Sequence, residues 1–63
     1  MFKPKDIKRI RLNLMLTQQE FAELLGVAYE TVNRYENGKS NPTLKVQRKL
    51  AEVVEKNNIN LEG

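Results

Sequence analysis

The chain of 63 residues contains no cysteine, no histidine and no tryptophan, and only two prolines and three glycines. Without cysteine there is no disulfide, and without cysteine or histidine a zinc staple is not expected. No metal and no cofactor is expected. The same absences, with the lack of a glycine-rich phosphate loop, remove the usual nucleophiles, bases and phosphate cradles. A hydrolase or transferase is therefore the weakest functional class, and the chain is not expected to be an enzyme. No apolar run approaches the ~20 residues of a membrane span, and the N-terminus has no signal-peptide apolar segment. A cytoplasmic location and no membrane partner follow as expectations. Aromatic residues make up only 6% of the chain while Leu, Val, Lys and Glu are plentiful, which favours an all-α fold. At this length the chain makes one domain, residues 1–63, burying about 60% of its unfolded surface. Stability must come from helix packing or from a partner chain.

What is present is a series of amphipathic segments. Pro4 suits a first helical position and Asp6 a first turn. Ile7, Ile10 and Leu14 recur at i, i+3 and i+7, which predicts a helix over 4–14 with Phe2 folding back onto its start. Asn13 to Leu16 is a break, with Met15 just past the helix end, where glycine is preferred for its tolerance of positive φ. Thr17-Gln18-Gln19-Glu20 fits a capping box. It predicts a helix over 18–25 with Phe21, Leu24 and Leu25 inward, ended by Gly26. A third helix begins at or after Ala28, a poor N-cap, and ends at Asn37-Gly38. Asn41 or Thr43 caps a fourth helix over about 43–57, with Val46, Leu50, Val53 and Val54 inward and Leu44 at the lip. Ile59 and Leu61 remain as an apolar tail.

The third helix is the unusual one. Its apolar side is thin: Ala28, Val32 and Tyr35. Its other side groups Tyr29, Glu30, Asn33, Arg34 and Asn37 on one face. A helix built only for stability would bury a wider stripe; this one is patterned to present polar groups. Net charge is +3, and its distribution is uneven. Lys3, Lys5, Lys8, Arg9 and Arg11 crowd the first eleven residues against Asp6 alone, and Lys39, Lys45, Arg48 and Lys49 form a second cluster without an acid. Two basic clusters flanking a polar-faced helix suit a phosphate-tracking surface.

Two charges occupy positions that helical spacing turns inward. Arg11 lies four residues after Ile7, and Glu36 four after Val32. An unpaired buried charge is costly, so the expectation is an Arg11–Glu36 salt bridge joining the first helix to the end of the third.

Residues 7–56 resemble the Cro/C1-type helix-turn-helix family of prokaryotic and phage repressors. The resemblance is carried by I-x-x-I-R at 7–11, L-T-Q-Q-E-F-A at 16–22, L-L-G-V at 24–27, T-V-N-R-Y-E-N-G-K at 31–39 and N-P-T at 41–43. Members commonly carry the Arg and Glu found here at positions 11 and 36. Ala28 departs from the usual Ser or Thr cap, Met15 from a common Gly, and Gln47 and Arg48 from a common Leu. The resemblance implies a compact four- to five-helix bundle of lambda-repressor type, with a helix-turn-helix core at 18–37 whose second helix enters the DNA major groove. It implies a nucleoid-associated transcriptional regulator, expected to be a repressor, that binds double-stranded DNA in a sequence-specific manner. Tyr29, Glu30 and Arg34 are the expected base contacts. Arg34 suits a guanine O6/N7 edge, Glu30 a cytosine amino group, and Tyr29 a thymine methyl or a phosphate. Thr17, Gln18, Thr31, Asn33, Asn37 and Lys39 are the expected phosphate contacts, Gln18 by its place at a helix N-terminus.

Smallness and the apolar tail (Val53, Val54, Ile59, Leu61) point to a homodimer on a two-fold site. The alternative is an antitoxin or accessory module that holds a protein partner through that tail.

Overall fold

Pro4 opens α1 (Pro4–Asn13) in the computed structural model, which describes residues 2–61. Asp6 closes the first turn by accepting the Lys3 backbone N–H at 3.0 Å. The helix ends one residue before the predicted boundary. Met15 then takes φ 59°, the left-handed conformation expected there. Its side chain is 89% exposed, so no packing offsets the strain.

The capping box forms as predicted and starts α2 (Gln18–Leu25). The Thr17 hydroxyl accepts from the Glu20 N–H at 3.1 Å, and Glu20 Oε1 accepts from the Thr17 N–H at 2.9 Å. Gly26, at φ 73°, reverses the chain. α3 (Tyr29–Glu36) follows after Val27 and Ala28, and Ala28 gives its first turn no side-chain cap. Thr43, the second of the two candidate caps, starts α4 (Leu44–Lys56) by accepting from the Val46 N–H. Among the described residues there are four helices and no strand, an all-α bundle, and no helix is long and apolar enough to cross a membrane.

The core is one cluster. Ile7 and Ile10 of α1, Phe21, Ala22 and Leu25 of α2, Val32 and Tyr35 of α3, and Val46, Leu50 and Val53 of α4 are buried together. Phe2 packs against this cluster, as the sequence suggested. Leu24 does not join it and is 38% exposed. At about 100° per residue, Phe21, Ala22 and Leu25 define an arc centred near Leu25, and Leu24 lies roughly 100° off its middle. Burial of Ala22 turns the helix that way.

The tail also differs from a free apolar extension. Asn58 takes φ 53°, the Ile59 N–H donates to the Val54 carbonyl at 3.0 Å, and Ile59 joins the buried cluster. Leu61 packs partly against it, and its carbonyl accepts from the Arg9 guanidinium at 3.3 Å. Val53 and Ile59, two of the residues expected to face a partner, are buried in the chain's own core.

Replacing Met15 with glycine should relieve the left-handed backbone while removing an exposed side chain. Urea unfolding of Met15→Gly should show a gain of about 0.5–1 kcal/mol, the strain relieved less the added freedom of the unfolded chain. A midpoint at or below that of the unaltered chain would contradict this.

Candidate nucleic-acid interface

The charge pair expected from spacing is present. Arg11 Nε donates to Glu36 Oε2 at 2.7 Å and Nη2 to Oε1 at 3.1 Å, so the contact is bidentate. The two side chains are only 12% and 5% exposed. Such a pair is stable only if its remaining polar atoms are also bonded. They are: Arg11 Nη1 donates to the Leu16 carbonyl at 3.0 Å, and Gln18 Nε2 donates to Glu36 Oε1 at 3.0 Å. One ion pair therefore ties together α1, the α1–α2 connection, the start of α2 and the end of α3.

Beside the pair, on the same helix, Tyr35 is buried, and burial pushes its phenol above the ordinary value. The stabilisation that accompanies this is present below the unfolded pKa of about 10. It is lost as pH rises through the folded value, so Tyr35 stays neutral across the physiological range.

From this anchor the outer face of α3 is carried at a fixed angle. Tyr29 is 43% exposed, and Glu30, Arg34 and Asn37 are exposed, with Asn33 half-buried among them. Glu30 and Arg34 stand at i, i+4, a spacing that permits an ion pair. Neither is in one among the described residues, so both charges stay turned to solvent. Two surface hollows, of about 400 and 290 Å³, lie elsewhere and are not lined by α3.

The structure places the remaining site candidates in two groups. Thr17 is exposed at the start of α2, and its hydroxyl keeps its own proton while accepting from the Glu20 N–H. Lys39 is exposed in the loop after α3, and Thr31 is half-buried. Gln18, Asn33 and Asn37 instead form a row of side-chain amides that runs from Glu36 outward. Gln18 Oε1 accepts from Asn33 Nδ2 at 3.3 Å, and Asn33 Oδ1 accepts from Asn37 Nδ2 at 3.0 Å. Sequence reasoning put all three near phosphate but did not find the row. The only signal was that positions 33, 36 and 37 share one side of α3.

A family model described as helix-turn-helix matches residues 7–57, from the first buried isoleucine of α1 to the cap after α4. The chain belongs to the Cro/C1-type helix-turn-helix family. The chain is similar to an uncharacterized HTH-type transcriptional regulator of Archaeoglobus fulgidus, 45% identical over 47 residues that cover 75% of this chain and 66% of that protein. A second protein of the same description and organism is 40% identical over 47 residues, covering 75% of this chain and 67% of its own length. The chain thus spans about two thirds of the length of these curated relatives. No solved structure matches it.

Glu36→Gln leaves the Arg11 guanidinium nearly buried without its counter-charge. Equilibrium unfolding should show a loss of about 3 kcal/mol. A loss below about 0.5 kcal/mol, the scale of an ordinary surface substitution, would mean the pair does not hold the helices together.

Proposed function

We propose that this chain is a sequence-specific double-stranded-DNA-binding module of a transcriptional regulator, with α3 seated in the major groove. The observation that carries the reading is the outward face of α3. Tyr29, Glu30 and Arg34 stand exposed on a short rod whose inner side is locked to the rest of the fold. Base edges in the major groove offer the donors and acceptors such side chains can read. Arg34 pairs with a guanine edge, and Glu30 accepts from a cytosine amino group while repelling phosphate. Tyr29 packs on a thymine methyl. Thr17, Gln18, Thr31, Asn33, Asn37 and Lys39 hold phosphates and set the register. The relatives named as transcriptional regulators support the same reading. Binding to DNA, not catalysis, is the activity proposed, and it places the protein with the nucleoid in the cytoplasm.

The regulator acts as a repressor by occupying its site, and it binds a two-fold operator as a homodimer. A single module this small makes few contacts, and half-sites about 34 Å apart would let two copies share one DNA face. The rival reading, a module that captures a protein through the C-terminal tail, has less support because Val53 and Ile59 are buried. Only the half-buried Val54 and Leu61 remain of that tail.

Selection of bound duplexes from a random pool at fixed salt tests the proposal. Arg34→Ala should relax the preference at one position of each half-site. Lys39→Ala should weaken all retained sequences evenly and flatten the salt dependence by about one charge. An unaltered chain that enriches no sequence would overturn the reading. Sedimentation at saturating operator should find two chains per site, and one chain per site would remove the dimer.

A further inference from the structure

Gly38 follows α3 at φ 72°, a left-handed conformation that glycine takes without strain. The residue before it is Asn37, the C-cap of α3, whose side chain is exposed. Asparagine is thermolabile, and most so before glycine, because no side chain shields the following main-chain nitrogen. No other asparagine in the chain precedes a glycine. The residue type that the helix end requires is thus the one that makes its neighbour reactive.

The reaction needs only water. The main-chain nitrogen of Gly38 attacks Cγ of Asn37, and the new N–Cγ bond closes a five-membered succinimide. The Cγ–Nδ2 bond breaks, and Nδ2 leaves as ammonia with the hydrogen of the Gly38 N–H. Water then adds to one of the two imide carbonyl carbons and reopens the ring as aspartate or isoaspartate. Nothing is oxidised or reduced.

The folded turn holds the reacting atoms apart. Closure needs Asn37 Cβ and the Gly38 nitrogen eclipsed about the Cα–C bond, and Asn37 ψ is 5°, far from that arrangement. The Asn37 side chain folds back along α3 to Asn33, away from Gly38. The Gly38 N–H donates to the Tyr35 carbonyl at 3.2 Å, and the Lys39 N–H to the Arg34 carbonyl at 2.9 Å. The reaction must therefore wait for the last turn of α3 to open. That is the turn which Glu36 ties to Arg11 and Gln18.

We propose that Asn37 is a site of spontaneous deamidation, released when the last turn of α3 opens and held in check by the Arg11–Glu36 pair. The product adds a negative charge at the C-terminal end of the helix, already the negative end of its dipole. Resting on the reading of Asn37 as a phosphate contact of a groove-seated helix, the new charge repels the DNA backbone and retires aged chains from their sites.

Peptide mapping by mass spectrometry, after days in warm, mildly alkaline buffer, tests the proposal. Aspartate and isoaspartate should accumulate at position 37 ahead of every other asparagine, and about tenfold or more faster in denaturant than in the folded chain. Glu36→Gln should speed the reaction in buffer, and Gln18→Ala, a milder loosening of the same turn, should speed it less. Asn37→Gln, which cannot close the five-membered ring, should stay unmodified. The aged form, separated by ion exchange, should bind the selected duplex about tenfold more weakly than fresh protein, as one phosphate contact is replaced by repulsion. Modification spread evenly over the asparagines would overturn the site. An equal rate in buffer and in denaturant, or an unchanged rate in both Glu36→Gln and Gln18→Ala, would overturn the control by the fold. Equal affinity of aged and fresh protein would overturn the consequence for binding. If the fresh chain enriches no duplex, the proposed function and that consequence fall together, and the reaction at Asn37 is judged by the mapping alone.

Discussion

A nearly buried charge pair, Arg11 with Glu36, is the constraint on which the arrangement of this small domain depends. A chain of 63 residues has little apolar surface with which to fix the angle of each helix. Hydrophobic packing holds the helices together and is itself non-directional, so a directional contact adds to what it can fix. A bidentate guanidinium–carboxylate contact is directional. Because Arg11 also holds the Leu16 carbonyl and Glu36 also holds Gln18, the pair sets α1, the start of α2 and the end of α3 against one another. Removing its two charges from water carries a penalty. The return is a fixed orientation for a helix of only eight residues.

That orientation separates two sides of α3 which the sequence had already divided. Val32 and Tyr35 face the core, and the exposed polar groups face away. The same carboxylate that fixes the helix also orders the amides beside it, so packing and surface chemistry share one origin. The amide row is preset in this sense: Gln18, Asn33 and Asn37 hold one another's donors and acceptors in given directions from Glu36 outward.

Much of the frame was legible in the residues. The capping box at Thr17, the turn at Gly26, the left-handed Met15 and the Arg11–Glu36 pair each follow from a local rule with a large penalty for violation. Leu24 was misread because, in an eight-residue helix, one buried small residue rotates the inward arc, and spacing alone does not reveal it. The tail was misread for a similar reason. Ile59 is buried only because Asn58 turns the chain back, and asparagine adopts that conformation in few of its contexts. The amide row was invisible because Gln18 and Asn33 are fifteen residues apart and of a type usually found solvated. Their pairing depends on the angle between α2 and α3, a tertiary quantity. Family resemblance located the candidate site, but it did not say which atoms that site offers.

The central claim is that α3 presents a polar face already fixed by Arg11 and Glu36, and that this face meets duplex DNA. The most direct measurement is a nitrogen-15 NMR titration of the protein with its selected duplex, following backbone and side-chain signals together. The account predicts large shifts at Tyr29, Glu30, Arg34 and the Asn37 side chain, with the Arg11 Nε–H signal already protected in the free protein and unchanged on binding. Shifts confined to α4 and the tail, or an Arg11 signal that becomes protected only when DNA is added, would contradict it.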